Sequence, residues 1–176
     1  MIREKLIILS DLFGKEKSDW ISVYYELLSD KYDIHYIDSK DLGEITLNTN
    51  NKEDIHNLFI AKSITVAVNN LTTKYREKIN ILAFSIGGTI AWKAILKGLN
   101  VSNFWAVSST RIRYETKSPK CKTTLFYGEN DTHKPDDNCF TKLKITPVFL
   151  KNQDHNMYSN PKVINTICNN ILKQND

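Results

Sequence analysis

The chain has 176 residues, of which 41% are hydrophobic, and its formal net charge is +4. This length can bury one sizeable core, and no linker, repeat or low-complexity stretch divides the chain, so we expect one domain over residues 1–176. The modest charge and the lack of a nucleic-acid-binding motif argue against nucleic acid as a partner. No apolar run reaches the length of a membrane span or begins a signal peptide, which predicts a cytoplasmic protein.

Short apolar runs alternate with stretches of helical spacing along the whole chain. We predict six strands, near residues 5–9, 33–37, 79–84, 103–108, 123–127 and 145–150. We predict five helices, near residues 18–30, 53–74, 87–97, 135–142 and 161–173. This alternation predicts an α/β protein of three layers, in which a mostly parallel sheet carries helices on both faces.

Cofactor and metal chemistry has little support in the sequence. The three cysteines, Cys121, Cys139 and Cys168, have no CxxC spacing, so neither a disulfide framework nor a zinc site is predicted. The pair Gly87 and Gly88 lacks the lysine and hydroxyl residue that follow in a phosphate-binding loop. We therefore predict no metal and no cofactor, and we expect Cys168 to be a core residue of the last helix.

The most informative motif is Ala-Phe-Ser-Ile-Gly-Gly at residues 83–88, between the third predicted strand and the third predicted helix. A serine at such a strand-to-helix turn is typical of a nucleophile elbow, whose strained backbone needs small neighbours. Ala83 and Gly87 supply them two residues before and after Ser85, and Gly88 lets the helix lie close to the sheet. The alternative is that Ser85 only caps the helix.

An acid and a histidine follow Ser85 in the order that this arrangement requires. Asp131 lies just past the fifth predicted strand, and His155 lies in the loop after the sixth. Because the carboxyl ends of parallel strands share one crevice, we expect the three side chains to meet there. Ser85 would be the nucleophile, His155 its general base, and Asp131 the group that orients the imidazole.

Other acids and histidines are weaker candidates for these roles. Asp154 adjoins His155, but neighbouring side chains in a loop usually diverge, and Glu129 replaces Asp131 only if the loop turns two residues earlier. His133 is too close to Asp131 in sequence to come from a separate strand end. We expect His35 and His56 to be structural or exposed to solvent.

These motifs resemble the α/β-hydrolase superfamily, and the resemblance covers nearly the whole chain. Residues 7–43 look like its segment of strand, His-Gly-x-Gly loop, amphipathic helix and second strand ending in Asp. The counterparts here are Asp-Leu-Phe-Gly at residues 11–14, Trp20 and Asp38, so the His-Gly pair is absent. Among relatives, the layout is most similar to the methyl ester esterases that act on pimeloyl groups carried by acyl carrier protein in biotin synthesis. The resemblance implies a minimal fold without the first two antiparallel strands.

The resemblance also implies an oxyanion hole made of two backbone N–H groups. One would belong to Ile86, the residue after the nucleophile. The other would come from the loop at residues 10–14, where Phe13 is our first choice and Leu12 the alternative. Alternatively, the side chain of Asp11 or Ser10 in this loop only caps the following helix.

In larger members of the superfamily a helical cap is inserted between the fourth and fifth strands predicted here. Only residues 109–122 remain at that place, which implies that the cap is absent and that the cleft admits a bulky or protein-borne substrate. This connector holds five basic residues and one acidic one, so its net charge of +4 equals that of the whole chain. Such a run is usually a solvated loop. Alternatively, because the connector follows the carboxyl end of a strand, its basic residues, Arg111 and Arg113 first among them, rim the crevice of Ser85 and attract an acidic partner such as acyl carrier protein.

The sequence thus predicts a serine hydrolase that cleaves an acyl ester or thioester through an acyl-enzyme. Two alternatives follow from the same residues. The missing His-Gly pair is compatible with a protein that kept the fold, lost turnover and binds a ligand or partner. A peptidase or an acyltransferase would use the same three side chains.

Overall fold

The computed structural model describes residues 3–46 and 51–173, and six strands in this part of the chain form one sheet. The strands are β1 (Glu4–Leu9), β2 (Tyr32–Ile37), β3 (Ile79–Phe84), β4 (Val101–Val107), β5 (Lys122–Gly128) and β6 (Val148–Leu150). Their order in the sheet is β2-β1-β3-β4-β5-β6, and every neighbouring pair is parallel. The predicted α/β class and the parallel sheet are confirmed.

The helices follow the predicted positions closely. They are α1 (Ile21–Leu28), α2 (Ser39–Leu42), α3 (Lys52–Leu58), α4 (Ile64–Lys74), α5 (Ile86–Leu96), α6 (Asp137–Leu143) and α7 (Pro161–Lys173). The predicted helix over 53–74 is α3 and α4 joined by a π-helical turn at Phe59–Ser63. The short helix α2 was not predicted; the Asp38 side chain caps its first turn by accepting the N–H of Lys40.

Two hydrophobic cores cover the two faces of the sheet, because successive strand residues point to opposite sides. On β1, Ile7 and Leu9 pack into the core beneath α3, α4, α5 and α6. Leu6 and Ile8 pack into the core beneath α1 and α7. Cys168 is buried in this second core, as predicted.

The last strand is shorter than predicted, because the turn that ends α6 extends to Ile145. Lys144 has the left-handed backbone that terminates a helix, with φ of 55°, and the N–H of Ile145 still donates to the carbonyl of Phe140. Pro147 has no N–H for a strand ladder. The predicted strand over 145–150 is therefore reduced to Val148–Leu150.

The connector between β4 and β5 contains one 3-10 turn, Thr110–Tyr114, and no inserted helical domain. Because the strands are parallel, the connector must run from the carboxyl end of β4 back to the start of β5. The register pairs Lys122 with Asn103 near the start of β4, so Lys122 lies at the opposite end of the sheet from Ser85. The expectation that the basic residues share one rim is wrong for Lys122.

Within residues 3–46 and 51–173, no helix combines the length and the apolar composition that crossing a bilayer requires.

Candidate active site

Ser85 stands at the turn between β3 and α5 with a backbone that serine rarely adopts. Its φ is 47° and its ψ is −114°, and strain of this kind costs about 1–3 kcal/mol. The N–H of Ser85 donates to the carbonyl of Val107 on the neighbouring strand, at 2.8 Å, which ties the strained residue to the sheet. The Ser85 side chain makes no capping hydrogen bond to α5, so the helix-cap interpretation does not describe this structure.

Two glycines allow α5 to start against the sheet. A Cβ atom on Gly87 would lie 2.4 Å from the carbonyl oxygen of Ser10, and one on Gly88 would lie 1.8 Å from the Oγ of Ser109. Ala106 is the next neighbour of Gly88, with its Cβ at 3.3 Å. The glycine pair is therefore required by close packing on two sides, as the motif predicted.

Gly88→Ala is expected to destabilise the protein by about 1–3 kcal/mol, because its methyl group would overlap the Ser109 side chain. The additional change Ser109→Gly removes that side chain and should restore part of the loss. Urea unfolding of the two single variants and the double variant measures this coupling. Strictly additive losses would show that the clash does not determine the packing of α5.

The structure brings together the three predicted side chains from three strand ends. The Oγ of Ser85 lies 3.2 Å from the Nε2 of His155, and the Nδ1 of His155 lies 2.8 Å from the Oδ2 of Asp131. Ser85 follows β3, Asp131 lies just past β5, and His155 is in the loop after β6. The arrangement is a continuous chain of hydrogen bonds from a hydroxyl through an imidazole to a carboxyl group.

The carboxyl group of Asp131 is buried. Its side chain is 1% exposed, whereas that of His155 is 26% exposed. Burial works to raise the pKa of Asp131, but the hydrogen bond from His155 and a second one from the N–H of His133, at 2.9 Å, outweigh it. The pKa of Asp131 is therefore lower than usual, and its carboxylate is ionised at neutral pH.

An aromatic cluster supports the loop that carries His155. The ring of Tyr158 lies 6.3 Å from that of His155 in an edge-on arrangement. Trp20 packs against Tyr158 at 4.9 Å and against Phe84, the last residue of β3, at 4.7 Å. These contacts connect the imidazole loop to the strand that presents Ser85.

The other candidates for the acid and the base have different hydrogen-bond partners. Asp154 is exposed and accepts the N–H of Asn156, and Glu129 is exposed and accepts the N–H of Asn152. His35 is paired with Asp33 on the edge strand β2. Among the described residues, none of these three side chains is hydrogen-bonded to Ser85 or His155.

A cavity of about 520 Å³ opens beside Ser85 and His155. Helix α3, including His56, forms one wall, and the 3-10 turn with Arg111 and Arg113 forms another. The sequence placed His56 among structural or exposed residues, and its position in this wall was missed because nothing in its local pattern links α3 to the elbow. His133 also lines the cavity.

The loop after β1 differs from the expectation for the oxyanion hole. The N–H of Phe13 donates to the Oδ1 of Asp11 at 2.9 Å, and the hydroxyl of Tyr158 donates to the Oδ2 at 3.1 Å. Neither the N–H of Leu12 nor that of Ile86 has a protein acceptor among the described residues. The first choice, Phe13, is thus engaged by a side chain, and the alternative, Leu12, is not.

Asp11 is buried and polar, and burial raises the pKa of its carboxyl group although hydrogen bonds from Phe13 and Tyr158 oppose the shift. A raised pKa in the folded state means that the folded protein loses stability as pH rises from the ordinary aspartate pKa of about 3.9 through the raised value. In Asp11→Asn this dependence is absent. Wild type should therefore lose stability relative to Asp11→Asn between about pH 4 and neutrality, as measured by urea unfolding at several pH values. A difference that does not change with pH would contradict the assignment.

In the described residues, no group of three histidine, cysteine, aspartate or glutamate side chains is arranged to hold a metal ion. The thiol groups of Cys121, Cys139 and Cys168 are not joined in disulfides.

The chain is similar in structure to several solved hydrolases. A proposed hydrolase of the alpha/beta superfamily from Xanthomonas campestris has a TM-score of 0.69 at 10% identity, covering 98% of this chain and 99% of the other. Est1E from Butyrivibrio proteoclasticus, solved with ferulic acid bound, has a TM-score of 0.63 at 12% identity, covering 98% and 90%. Dienelactone hydrolase from Anabaena variabilis has a TM-score of 0.65 at 17% identity, covering 96% and 84%. No protein-family model and no curated protein sequence matches the chain.

Proposed function

We propose that this chain, which has the α/β-hydrolase fold, is a serine hydrolase that cleaves an acyl ester through a covalent acyl-enzyme. The observation that carries the proposal is the hydrogen-bonded series from Ser85 through His155 to Asp131, assembled from three strand ends. The names of the structural neighbours, which include a dienelactone hydrolase, add support for a hydrolytic reaction.

In the proposed reaction, the Nε2 of His155 accepts the proton of Ser85 as the Oγ attacks the carbonyl carbon of the ester. The tetrahedral intermediate collapses when His155 gives that proton to the leaving alcohol, and Ser85 remains acylated. A water molecule, deprotonated by the same imidazole, then releases the acid. Asp131 accepts the Nδ1 hydrogen throughout, which keeps Nε2 free to act as a base and stabilises the imidazolium form.

The developing oxyanion needs donors on the side of Ser85 away from His155. We propose the N–H of Ile86, at the start of α5, as the first donor, because it has no protein acceptor among the described residues. For the second donor, the free N–H of Leu12 is favoured over that of Phe13, which donates to Asp11. Phe13 would be available only after the carboxyl group of Asp11 moves away.

A fluorophosphonate probe should label wild type at Ser85, because only a hydroxyl beside a base and an oxyanion hole attacks phosphorus quickly. Labelling should disappear in Ser85→Ala and persist in Ser109→Ala, which changes a buried serine whose hydroxyl donates to the carbonyl of Val107. Gel fluorescence and peptide mapping give the measurement. Equal labelling of wild type and Ser85→Ala would remove the proposed nucleophile.

Asp131→Asn should reduce kcat by up to about 10⁴, since loss of the orienting carboxylate allows the wrong imidazole tautomer. Asp154→Asn is the matched control: it makes the same chemical change one residue from His155, and its carboxylate is exposed and accepts only the N–H of Asn156. Steady-state hydrolysis of an activated ester distinguishes the two. A larger loss in Asp154→Asn would show that the acid is wrongly assigned.

The cavity lining includes the two arginines that the sequence links to an acidic carrier protein. Arg111 and Arg113 line it, so an acyl group delivered on an acidic acyl carrier protein would reach Ser85 past these two side chains. We propose this delivery as a narrower form of the same function. A panel of esters, thioesters and amides would separate an esterase from a peptidase, and a lack of both turnover and labelling would favour the binding protein.

A further inference from the structure

One wall of the cavity beside Ser85 includes Arg111, whose guanidinium group has one buried donor without a partner. The Nε of Arg111 is buried and has no hydrogen-bond partner. The guanidinium lies over the ring of Tyr114, 5.1 Å from its centroid, and within the described residues no carboxylate lies within ion-pair distance of it. An unpaired buried donor of this kind is costly unless a ligand accepts from it.

The second arginine of the same 3-10 turn is fixed in place. The Nη1 of Arg113 donates to the carbonyls of Thr110 at 3.1 Å and His133 at 3.0 Å, and its guanidinium stacks on Tyr114 at 4.6 Å. Arg113 therefore contributes a positioned positive charge, while the Nε of Arg111 has no partner.

The wall formed by α3 lies within range of these positive charges. Burial lowers the pKa of His56 on α3, and the charges of Arg111, Lys52 and Arg113 lower it further. His56, Lys52 and the two arginines all line the cavity. The charges of the two arginines therefore act on a residue of the other wall of the cavity.

The acidic side chains of the cavity lie elsewhere. Asp11 follows β1, whereas Arg111 follows β4, and the sheet order places β3 with Ser85 between those strands. Both carboxylate oxygens of Asp11 already accept hydrogen bonds, from Phe13 and Tyr158. Glu53 is exposed at the start of α3. The two acidic side chains that line the cavity therefore lie on other elements than Arg111 and Arg113.

We propose that the ester cleaved at Ser85 carries a carboxylate, which pairs with the guanidinium of Arg111 in this cavity. A guanidinium presents two parallel donors that match the two oxygens of a carboxylate, and Tyr114 holds its plane. The substrate class rests on the proposed serine hydrolase function. The pairing itself is a binding property and can be measured without turnover.

The test compares esters that differ only in charge. The p-nitrophenyl hemiester of adipic acid is matched with the p-nitrophenyl ester of its ω-amide, which has the same shape and no charge. A second pair, 4-acetoxybenzoate and 4-acetoxybenzamide, places the carboxylate on the leaving alcohol. Each substrate is assayed with wild type, Arg111→Gln and Lys120→Gln, the last being an exposed basic residue of the same connector.

Wild type should have a kcat/KM at least about tenfold higher for the charged member of one pair, and the pair that shows it identifies the side of the ester that bears the carboxylate. Arg111→Gln should remove this preference and leave the neutral member within about twofold, and Lys120→Gln should change neither. Equal rates within both pairs in wild type, or an equal loss on charged and neutral esters in Arg111→Gln, would overturn the proposal.

A binding measurement separates this proposal from the proposed reaction. Calorimetric titration of Ser85→Ala with the adipic hemiester and the ω-amide ester should show preferred binding of the hemiester, which is lost when Arg111→Gln is added. If wild type neither reacts with the probe nor hydrolyses any ester, the serine hydrolase function fails and this titration still decides the carboxylate site. Equal affinity for the two esters would overturn the site.

Discussion

The site depends on the strained backbone of Ser85. With φ of 47° the residue turns the chain from β3 into α5 within one step, which directs Oγ over the carboxyl edge of the sheet. The hydrogen bond to Val107 holds this residue to β4, and the absence of a Cβ on Gly87 and Gly88 lets α5 start close against the sheet. The strain is sustained because buried packing on both faces of the sheet costs far more to disturb than the strain itself.

The parallel sheet then determines what meets Ser85. Because every strand runs in the same direction, the loops after β1, β3, β4, β5 and β6 converge on one edge. Asp131 lies low in that edge, buried and kept ionised by its donors, while His155 lies above it with one side open to the cavity. The site therefore combines a buried, ionised carboxylate with a partly exposed imidazole and a hydroxyl that faces the space for substrate.

Much of this could be predicted from the sequence, since short apolar runs identify parallel strands and polar residues after them identify the site. Ser85, Asp131 and His155 were placed correctly at strand ends, and the structure brings them into contact. The wall made by His56 and the engagement of Phe13 by Asp11 could not be predicted, because both depend on distances between side chains and segments that no local periodicity encodes. The connector is a similar case. Its net charge can be counted from the sequence, but only the sheet register shows that Lys122 lies away from Ser85.

In the proposed reaction, Ser85 carries the acyl group during turnover. Rapid mixing with an excess of an activated ester, acid quenching within the first turnover and intact-protein mass spectrometry would measure that intermediate directly. We predict a mass gain of one acyl group, located by peptide mapping on Ser85. Turnover without any adduct, or an adduct on another side chain such as the thiol of Cys121, would contradict the account.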